Sequence, residues 1–217
     1  MISGVTGLLS TLALISGLVH MGAAQVGGPR WLVYVFKPLT TSLILLIALA
    51  APAPISPVYQ GLIVAGLAFS LAGDVFLMLP EDRFLAGLAS FLVAHICYVA
   101  AFTSRTGFQA TWGGALPFLL YGAAMLLLLW PYLGRKKAPV IGYVAVILTM
   151  GWQAREQWLA TGRVAALLAM LGAGLFIVSD SALAVERFRK PFRGARLLVL
   201  ATYYVGQWLI ALSINGP

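Results

Sequence analysis

Two aspartates lie inside long apolar stretches of the sequence, where an ionised side chain is costly. Asp74 occurs within SLAGDVFLML and Asp180 within FIVSDSALAV. A carboxylate at the centre of a membrane-spanning helix costs roughly 2.5–3.5 kcal/mol on insertion scales, and such residues usually mark transport pathways or reactive sites. Paired carboxylates can act as general acid and general base when only one of them is ionised. Acid–base chemistry inside a membrane is therefore the first hypothesis for this chain.

Lys37 is a third ionisable residue within an apolar stretch, and it bears on the protonation of the two aspartates. If Lys37, Asp74 and Asp180 share one cavity of low dielectric constant, one ionised aspartate balances the lysine. The second carboxyl is then expected to stay protonated, because burial and a neighbouring like charge both disfavour its ionised form. The sequence leaves open which of the two aspartates carries the proton.

The composition is that of a membrane protein rather than a soluble domain. Of the 217 residues, 61% are hydrophobic and 9% are charged, whereas soluble domains are about a quarter charged. The net charge of +8 does not indicate nucleic-acid binding, because the basic residues cluster in short segments between apolar stretches. The one cysteine, Cys97, excludes an intrachain disulfide and a cysteine-rich metal site. We expect residues 1–217 to form a single transmembrane domain.

Eight apolar segments are long enough to span a bilayer as helices, for which about 20 residues suffice. The first is interpreted as a retained helix rather than a signal peptide, because no basic residues precede it. The sixth is the least regular, because Arg155 and Glu156 lie at its end. The segments are 3–23, 31–51, 59–79, 84–103, 113–133, 138–156, 163–186 and 194–214. They predict an all-α fold, a polytopic membrane bundle of about eight transmembrane helices.

The basic residues are distributed unequally between the two sides of this bundle. The even-numbered connections hold three of the fourteen, namely Arg105, Arg155 and Arg163. The odd-numbered connections and adjoining helix ends hold eleven: Arg30, Lys37, Arg83, Arg135, Lys136, Lys137, Arg187, Arg189, Lys190, Arg193 and Arg196. Because cytoplasmic loops carry the excess of Lys and Arg, the odd-numbered side is predicted to be cytoplasmic, with both termini outside. In a bacterium, this topology predicts a multi-pass protein of the inner membrane.

Asp74 and Asp180 are predicted to lie at nearly the same depth. Asp74 is about 9 Å from the cytoplasmic end of the third helix, and Asp180 is about 10 Å from that of the seventh. The polar residues that accompany them are His20, Lys37, His95, Tyr98, Tyr203, Tyr204 and Gln207. For any one of these, notably His20 and Gln207, hydrogen bonding between helices is the competing interpretation. Together they predict a polar cavity that opens toward the cytoplasm.

The segments around the two aspartates are similar to each other. GLAFSLAGDVFL (66–77) and GAGLFIVSDSAL (172–183) align with Asp74 and Asp180 in register. The segments lie on the third and seventh predicted helices, which point the same way across the membrane. This similarity suggests two four-helix halves related by a parallel repeat.

Five segments of the sequence, taken together and in order, resemble a known family. They are FKPLT (36–40), GLAFSLAGDVFL, GLASFLVAHICYVAAF, GLFIVSDSALAVERF and ATYYVGQWLI, and the family that they resemble is YhhN, the bacterial and animal lysoplasmalogenases. The resemblance implies a membrane ether hydrolase without metal or organic cofactor. Its reaction cleaves the sn-1 vinyl ether of a lysoplasmalogen to give a fatty aldehyde and glycerophosphoethanolamine or glycerophosphocholine.

The same resemblance assigns expected roles to individual residues. Asp74 and Asp180 match the positions expected to be catalytic. The positions expected to line the substrate site are Lys37, His95, Tyr98, Ser179, Tyr203, Tyr204 and Gln207. A vinyl ether is stable to mild base but labile to acid, so a proton donor beside a carboxylate suits its hydrolysis. The implied partner is a lysophospholipid taken from the bilayer; no nucleic acid and no obligate protein partner are expected.

Two other functions fit a pair of intramembrane aspartates. A proton-coupled transporter or lipid-binding membrane protein would use them along a pathway, but the polar residues here are gathered at one depth rather than across the membrane. An intramembrane aspartyl protease also needs two aspartates on separate helices, and LAGD (71–74) matches such a motif only loosely. Aldehyde release from a vinyl-ether lipid would separate the hydrolase from both alternatives.

Overall fold

Eight α-helices make up most of the computed structural model, which describes residues 4–79 and 83–216. No β-strand occurs within these ranges. The helices are α1 (Gly4–Val26), α2 (Arg30–Leu49), α3 (Pro57–Met78), α4 (Phe84–Thr103), α5 (Trp112–Leu129), α6 (Lys137–Thr161), α7 (Val164–Ala184) and α8 (Ala195–Leu212). Short 3₁₀ turns join α5 to α6, and a π-helical turn over Val185–Arg189 continues α7. The predicted all-α bundle of eight helices is confirmed.

The largest difference from the predicted boundaries is in α6, which extends to Thr161 instead of ending at residue 156. Arg155 and Glu156 do not terminate the helix, because both residue types have high helix propensity. Their side chains pair with each other at 2.6 Å between Nη1 and Oε1. The helix ends instead at Gly162, whose φ of +61° is readily adopted by glycine and closes the last turn.

Seven of the eight helices are long and apolar enough to cross a membrane within the described residues. The exception is α6, whose C-terminal half carries Gln153, Arg155 and Glu156. With 25 residues, α6 is about 38 Å long, and it packs along α4, α5 and α7. It therefore runs through the bundle beside the other seven, and the chain is an integral multi-pass membrane protein. The orientation relative to the cytoplasm stays a prediction.

The helix neighbours agree in part with the predicted division into two halves, since the contact between α1 and α8 has no counterpart of similar extent between α5 and α4. The contacts α1–α2, α2–α3 and α3–α4 in the first half have counterparts in α5–α6, α6–α7 and α7–α8 in the second. Among the contacts that join the halves are α4–α6 and α8–α2. They correspond to each other, because α4 is the counterpart of α8 and α6 is the counterpart of α2. The shift along the sequence that takes Asp74 to Asp180 also takes Lys37 to Tyr143.

The closest helix approach that positions the polar residues is between α7 and α8. A Cβ placed on Gly172 would lie 2.7 Å from the carbonyl oxygen of Gly206, and one placed on Gly206 would lie 2.9 Å from that of Gly172. These two glycines let the backbones touch, as small residues do in membrane helix pairs. The contact fixes Tyr203 of α8 beside the Asp180-bearing helix.

We expect Gly172→Leu to lower the unfolding temperature of the protein in detergent, because the new side chain must push α8 away. Overpacking of this kind costs about 1–3 kcal/mol. Gly174→Leu is the matched control, since a Cβ on Gly174 meets nothing within 4 Å. Equal unfolding temperatures for the two variants would contradict the importance of this approach.

Candidate active site

Asp74 is buried and ion-paired. Its carboxylate is 2% exposed, and its Oδ1 lies 3.3 Å from Nζ of Lys37, which is 13% exposed. Two hydroxyls donate hydrogen bonds to Oδ2, from Thr41 at 2.6 Å and from Tyr203 at 2.8 Å. A buried carboxylate is stabilised as an anion by a paired cation together with hydrogen-bond donors. The surroundings of Asp74 are therefore those of an ionised aspartate.

Asp180 has a different environment. The hydroxyl of Tyr143, on α6, donates a hydrogen bond to its Oδ2. No lysine or arginine in the described ranges forms an ion pair with its carboxyl group. Asp180 is partly buried, and a carboxyl group inside the bundle without a paired cation favours the neutral acid, because charge is costly at low dielectric constant. The two aspartates therefore differ in their partners: Asp74 has a counter-ion and Asp180 has a phenol. Their opposed protonation stays a prediction.

Both aspartates line a single cavity of about 680 Å³. Six of the polar residues that the sequence placed at the site line this cavity, namely His20, Lys37, Asp74, Ser179, Asp180 and Tyr203. At the helix ends, charged residues complete the lining, namely Arg83, Glu186, Arg187 and Arg196. The cavity thus contains two carboxyl groups inside the bundle and has a predominantly basic rim at one end of the bundle. That end is the one predicted to be cytoplasmic.

Four of the residues expected to line the site lie behind the cavity wall instead. The Tyr98 hydroxyl donates to Oε1 of Gln207 at 2.7 Å, and the Tyr204 hydroxyl lies 2.7 Å from Nδ1 of His20. His95 is fully buried, and neither ring nitrogen has a hydrogen-bond partner among the described residues. These side chains support the wall from α4 and α8 rather than facing the cavity.

The ring of His95 packs edge-on against two aromatic residues that bear on the site. Its centroid is 5.2 Å from that of Tyr143 and 4.6 Å from that of Phe176. Phe176 in turn lies 5.4 Å from the ring of Tyr203. Because Tyr143 and Tyr203 are the phenols that bind the two aspartates, this aromatic cluster sets their positions.

Ser179 lines the cavity, but its hydroxyl is already used. It donates to the backbone oxygen of Val199 at 2.9 Å and so ties α7 to α8. The sequence interpretation placed it at the substrate, and the structure gives it a helix-joining hydrogen bond at the edge of the cavity.

Two direct partners of the aspartates were missed in the sequence analysis. Thr41 and Tyr143 are ordinary residues in apolar helices, and neither stands out by polarity. Tyr143 could have been found from the repeat, since it occupies the position in the second half that Lys37 occupies in the first. Thr41 lies one helical turn after Lys37 and so faces the same neighbour.

Comparison with known proteins gives one family match and several named relatives. The model of the YhhN family matches residues 32–214. An uncharacterized membrane protein YhhN of Escherichia coli is 34% identical over 191 residues, which cover 88% of this chain and 91% of that protein. Lysoplasmalogenase TMEM86A of Bos taurus is 40% identical over 156 residues, 70% of this chain and 64% of the relative.

A third relative, lysoplasmalogenase TMEM86B of Sus scrofa, is 33% identical over 191 residues, covering 86% of this chain and 77% of the relative. No solved structure matches the chain. The named relatives therefore include bacterial and mammalian membrane proteins.

We expect Lys37→Met to destabilise the protein strongly, because it leaves the buried Asp74 carboxylate without its cation. Removing one partner of a buried ion pair costs about 3–5 kcal/mol. The double variant Lys37→Met/Asp74→Asn should recover much of that loss, since no isolated charge remains. Thermal unfolding in detergent, read as a double-mutant cycle, measures the effect. Additive losses in the double variant would show that the two side chains are not coupled.

Proposed function

The chain belongs to the YhhN family, and from that premise we propose that it is a membrane lysoplasmalogenase. The proposed reaction is hydrolysis of the sn-1 vinyl ether of a lysoplasmalogen, such as lysoplasmenylethanolamine or lysoplasmenylcholine, to a fatty aldehyde and the corresponding glycerophospho-alcohol. The observation that carries the proposal is the pairing of an ion-paired Asp74 with a cation-free Asp180 on one cavity. The relatives named lysoplasmalogenase support the choice of substrate.

In the proposed mechanism, Asp180 is the general acid. Its proton goes to the β-carbon of the vinyl ether, which leaves an oxocarbenium ion at the carbon bonded to oxygen. Tyr143 holds one oxygen of Asp180 by its hydrogen bond, so the other oxygen is the one that carries the proton toward the cavity. General acid catalysis of this kind contributes typically about 10²–10⁴-fold to the rate.

Asp74 supplies the negative charge that the cation requires. As a carboxylate it stabilises the oxocarbenium ion and takes a proton from the water that attacks it, giving a hemiacetal. Asp74 then returns that proton to the departing glycerol oxygen while the hemiacetal hydroxyl gives its proton to Asp180. The aldehyde and the alcohol are released, and both aspartates regain their starting protonation states.

The rim of the cavity suits the phosphate of the substrate. Arg83, Arg187 and Arg196 line it together with Lys37, against the acidic side chains of Asp74 and Glu186. Arg196 also donates to the backbone oxygen of Ala24 at 2.9 Å, which holds it at the end of α1. Fixed guanidinium groups are suited to bind phosphate. With the predicted topology, the head group would reach the site from the cytoplasmic side of the inner membrane.

We expect purified protein in detergent to release aldehyde from lysoplasmenylethanolamine, and both Asp180→Asn and Asp74→Asn to lower kcat about 100-fold or more. The first variant lacks the proton donor and the second lacks the base. Glu186→Gln is the matched control for kcat, because it neutralises a carboxylate that lines the same cavity but takes no part in the proposed proton transfers. Folding of each variant is checked by its unfolding temperature.

Absence of aldehyde from the folded parent protein, across ethanolamine and choline head groups, would overturn the proposal. Full activity in either asparagine variant would overturn the assigned mechanism while leaving the substrate in place.

A further inference from the structure

A second, mostly apolar groove meets the polar cavity at Asp180. Its walls come from the ends of α3 and α4 and from α5, α6 and α7. The residues that line both the groove and the cavity are Leu77, Phe84, Phe91, Asp180 and Leu183. The two spaces are therefore adjacent, and Asp180 lies between the polar one and the apolar one.

The polar groups of the groove are concentrated beside Asp180 and satisfy one another. Tyr121 donates to the Ser181 hydroxyl at 2.7 Å, and Ser181 donates to the backbone oxygen of Ile177 at 2.7 Å. Tyr143 donates to Asp180. The other described residues that line it have apolar side chains or are glycine. An apolar ligand fits such a surface, whereas a polar ligand would find no partners along it.

The groove extends along α6 and α7 and encloses about 80 Å³. On α6 it is lined from Val140 to Leu148, which is about 12 Å along the helix axis. On α7, Ile177 lies one turn farther from the basic rim than Asp180 does. The end formed by Gly122, Leu148 and Ile177 therefore lies deeper in the bundle than the carboxyl group of Asp180.

We infer that this groove binds the single hydrocarbon chain of the lipid substrate. The chain runs from Asp180 toward Gly122, while the glycerophosphate head occupies the polar cavity. The vinyl ether is the bond at which the chain meets the polar head, so this placement presents it to Asp180. The inference rests on the proposed function and adds to it the subsite that selects the chain.

Gly122 is the residue that controls the deep end of the groove. A Cβ placed on it would lie 2.5 Å from Cδ1 of Leu148 and 3.6 Å from Cγ1 of Val144, both of which line the groove. Because these atoms are the ends of flexible side chains, a larger residue at position 122 can be accommodated by moving Leu148 into the groove. The deep end is then shortened without displacement of a backbone.

The first test is photolabelling with a saturated 1-O-alkyl glycerophosphoethanolamine that carries a diazirine at the end of its chain. This probe lacks the vinyl ether, so its binding does not depend on turnover. We expect the label on peptides of α5 and α6 that contain Gly122 and Leu148, and its loss from them in Gly122→Val. Gly142→Val is the matched control, since a Cβ at Gly142 meets nothing within 4 Å and the residue is exposed.

The second test compares vinyl-ether substrates of short and long chain. Gly122→Val should lower kcat/KM for the long chain about tenfold relative to the short one, the scale of a misfit in an apolar pocket. Adding Leu148→Ala to Gly122→Val should restore the ratio, because it returns the lost space. Gly122→Ala, a smaller change, serves if the valine variant does not fold.

The outcomes separate this inference from the proposed function. Label in the groove of a protein that hydrolyses no vinyl ether would support the chain subsite and reject the reaction. Hydrolysis with label spread over the outer helix faces, or with an unchanged chain-length ratio in folded Gly122 variants, would reject the groove as the chain subsite.

Discussion

The ion pair between Lys37 and Asp74 is the interaction on which the arrangement of the site depends. An isolated charge at this depth would be unstable, so each of the two side chains requires the other. The pair assigns a negative charge to Asp74 and uses the only lysine on the cavity wall among the described residues. Asp180 is thereby left without a cation, and a phenol is its partner instead. The chemical difference between the two aspartates follows from where one lysine lies.

Asp74 and Asp180 occupy equivalent positions of the predicted repeat but have different partners. Each is approached by a side chain from the preceding helix. In the first half that side chain is Lys37, and in the second it is Tyr143. Two carboxyl groups therefore line one cavity, and the side chain that approaches each of them differs, a lysine at Asp74 and a tyrosine at Asp180. The apolar groove is lined by Asp180 and not by Asp74, whereas the polar cavity is lined by both. The two aspartates therefore also differ in the polarity of their surroundings.

Much of the fold could be predicted from the sequence, because a membrane-spanning helix is recognised from its own stretch of about 20 apolar residues. Apolar length predicts seven of the eight helices directly, with α6 the exception, and two carboxyl groups within apolar stretches indicate the candidate site. The side-chain contacts of the site could not be predicted, because they depend on how each helix is rotated about its own axis and on which helix it packs against. Tyr143 and Thr41 are unremarkable in their own segments and become partners only through the way α2 and α6 face α3 and α7. His95 and Gln207 have the right depth for the cavity but face away from it. The extension of α6 to Thr161 was not predicted, because Arg155 and Glu156 end the apolar stretch without ending the helix.

The most direct test of the account is the protonation state of each aspartate. Infrared spectra of the protein at neutral pH can detect the carbonyl stretch of a protonated carboxylic acid, and two variants identify its source: Asp180→Asn, and Lys37→Met/Asp74→Asn, which removes the ion pair without leaving the lysine unpaired. With Asp180 as the acid and Asp74 as the anion, the band should be present in the parent protein, remain in Lys37→Met/Asp74→Asn and disappear in Asp180→Asn. A band that disappears in Lys37→Met/Asp74→Asn instead, or no such band in the parent, would contradict the assignment of Asp180 as the acid and Asp74 as the base.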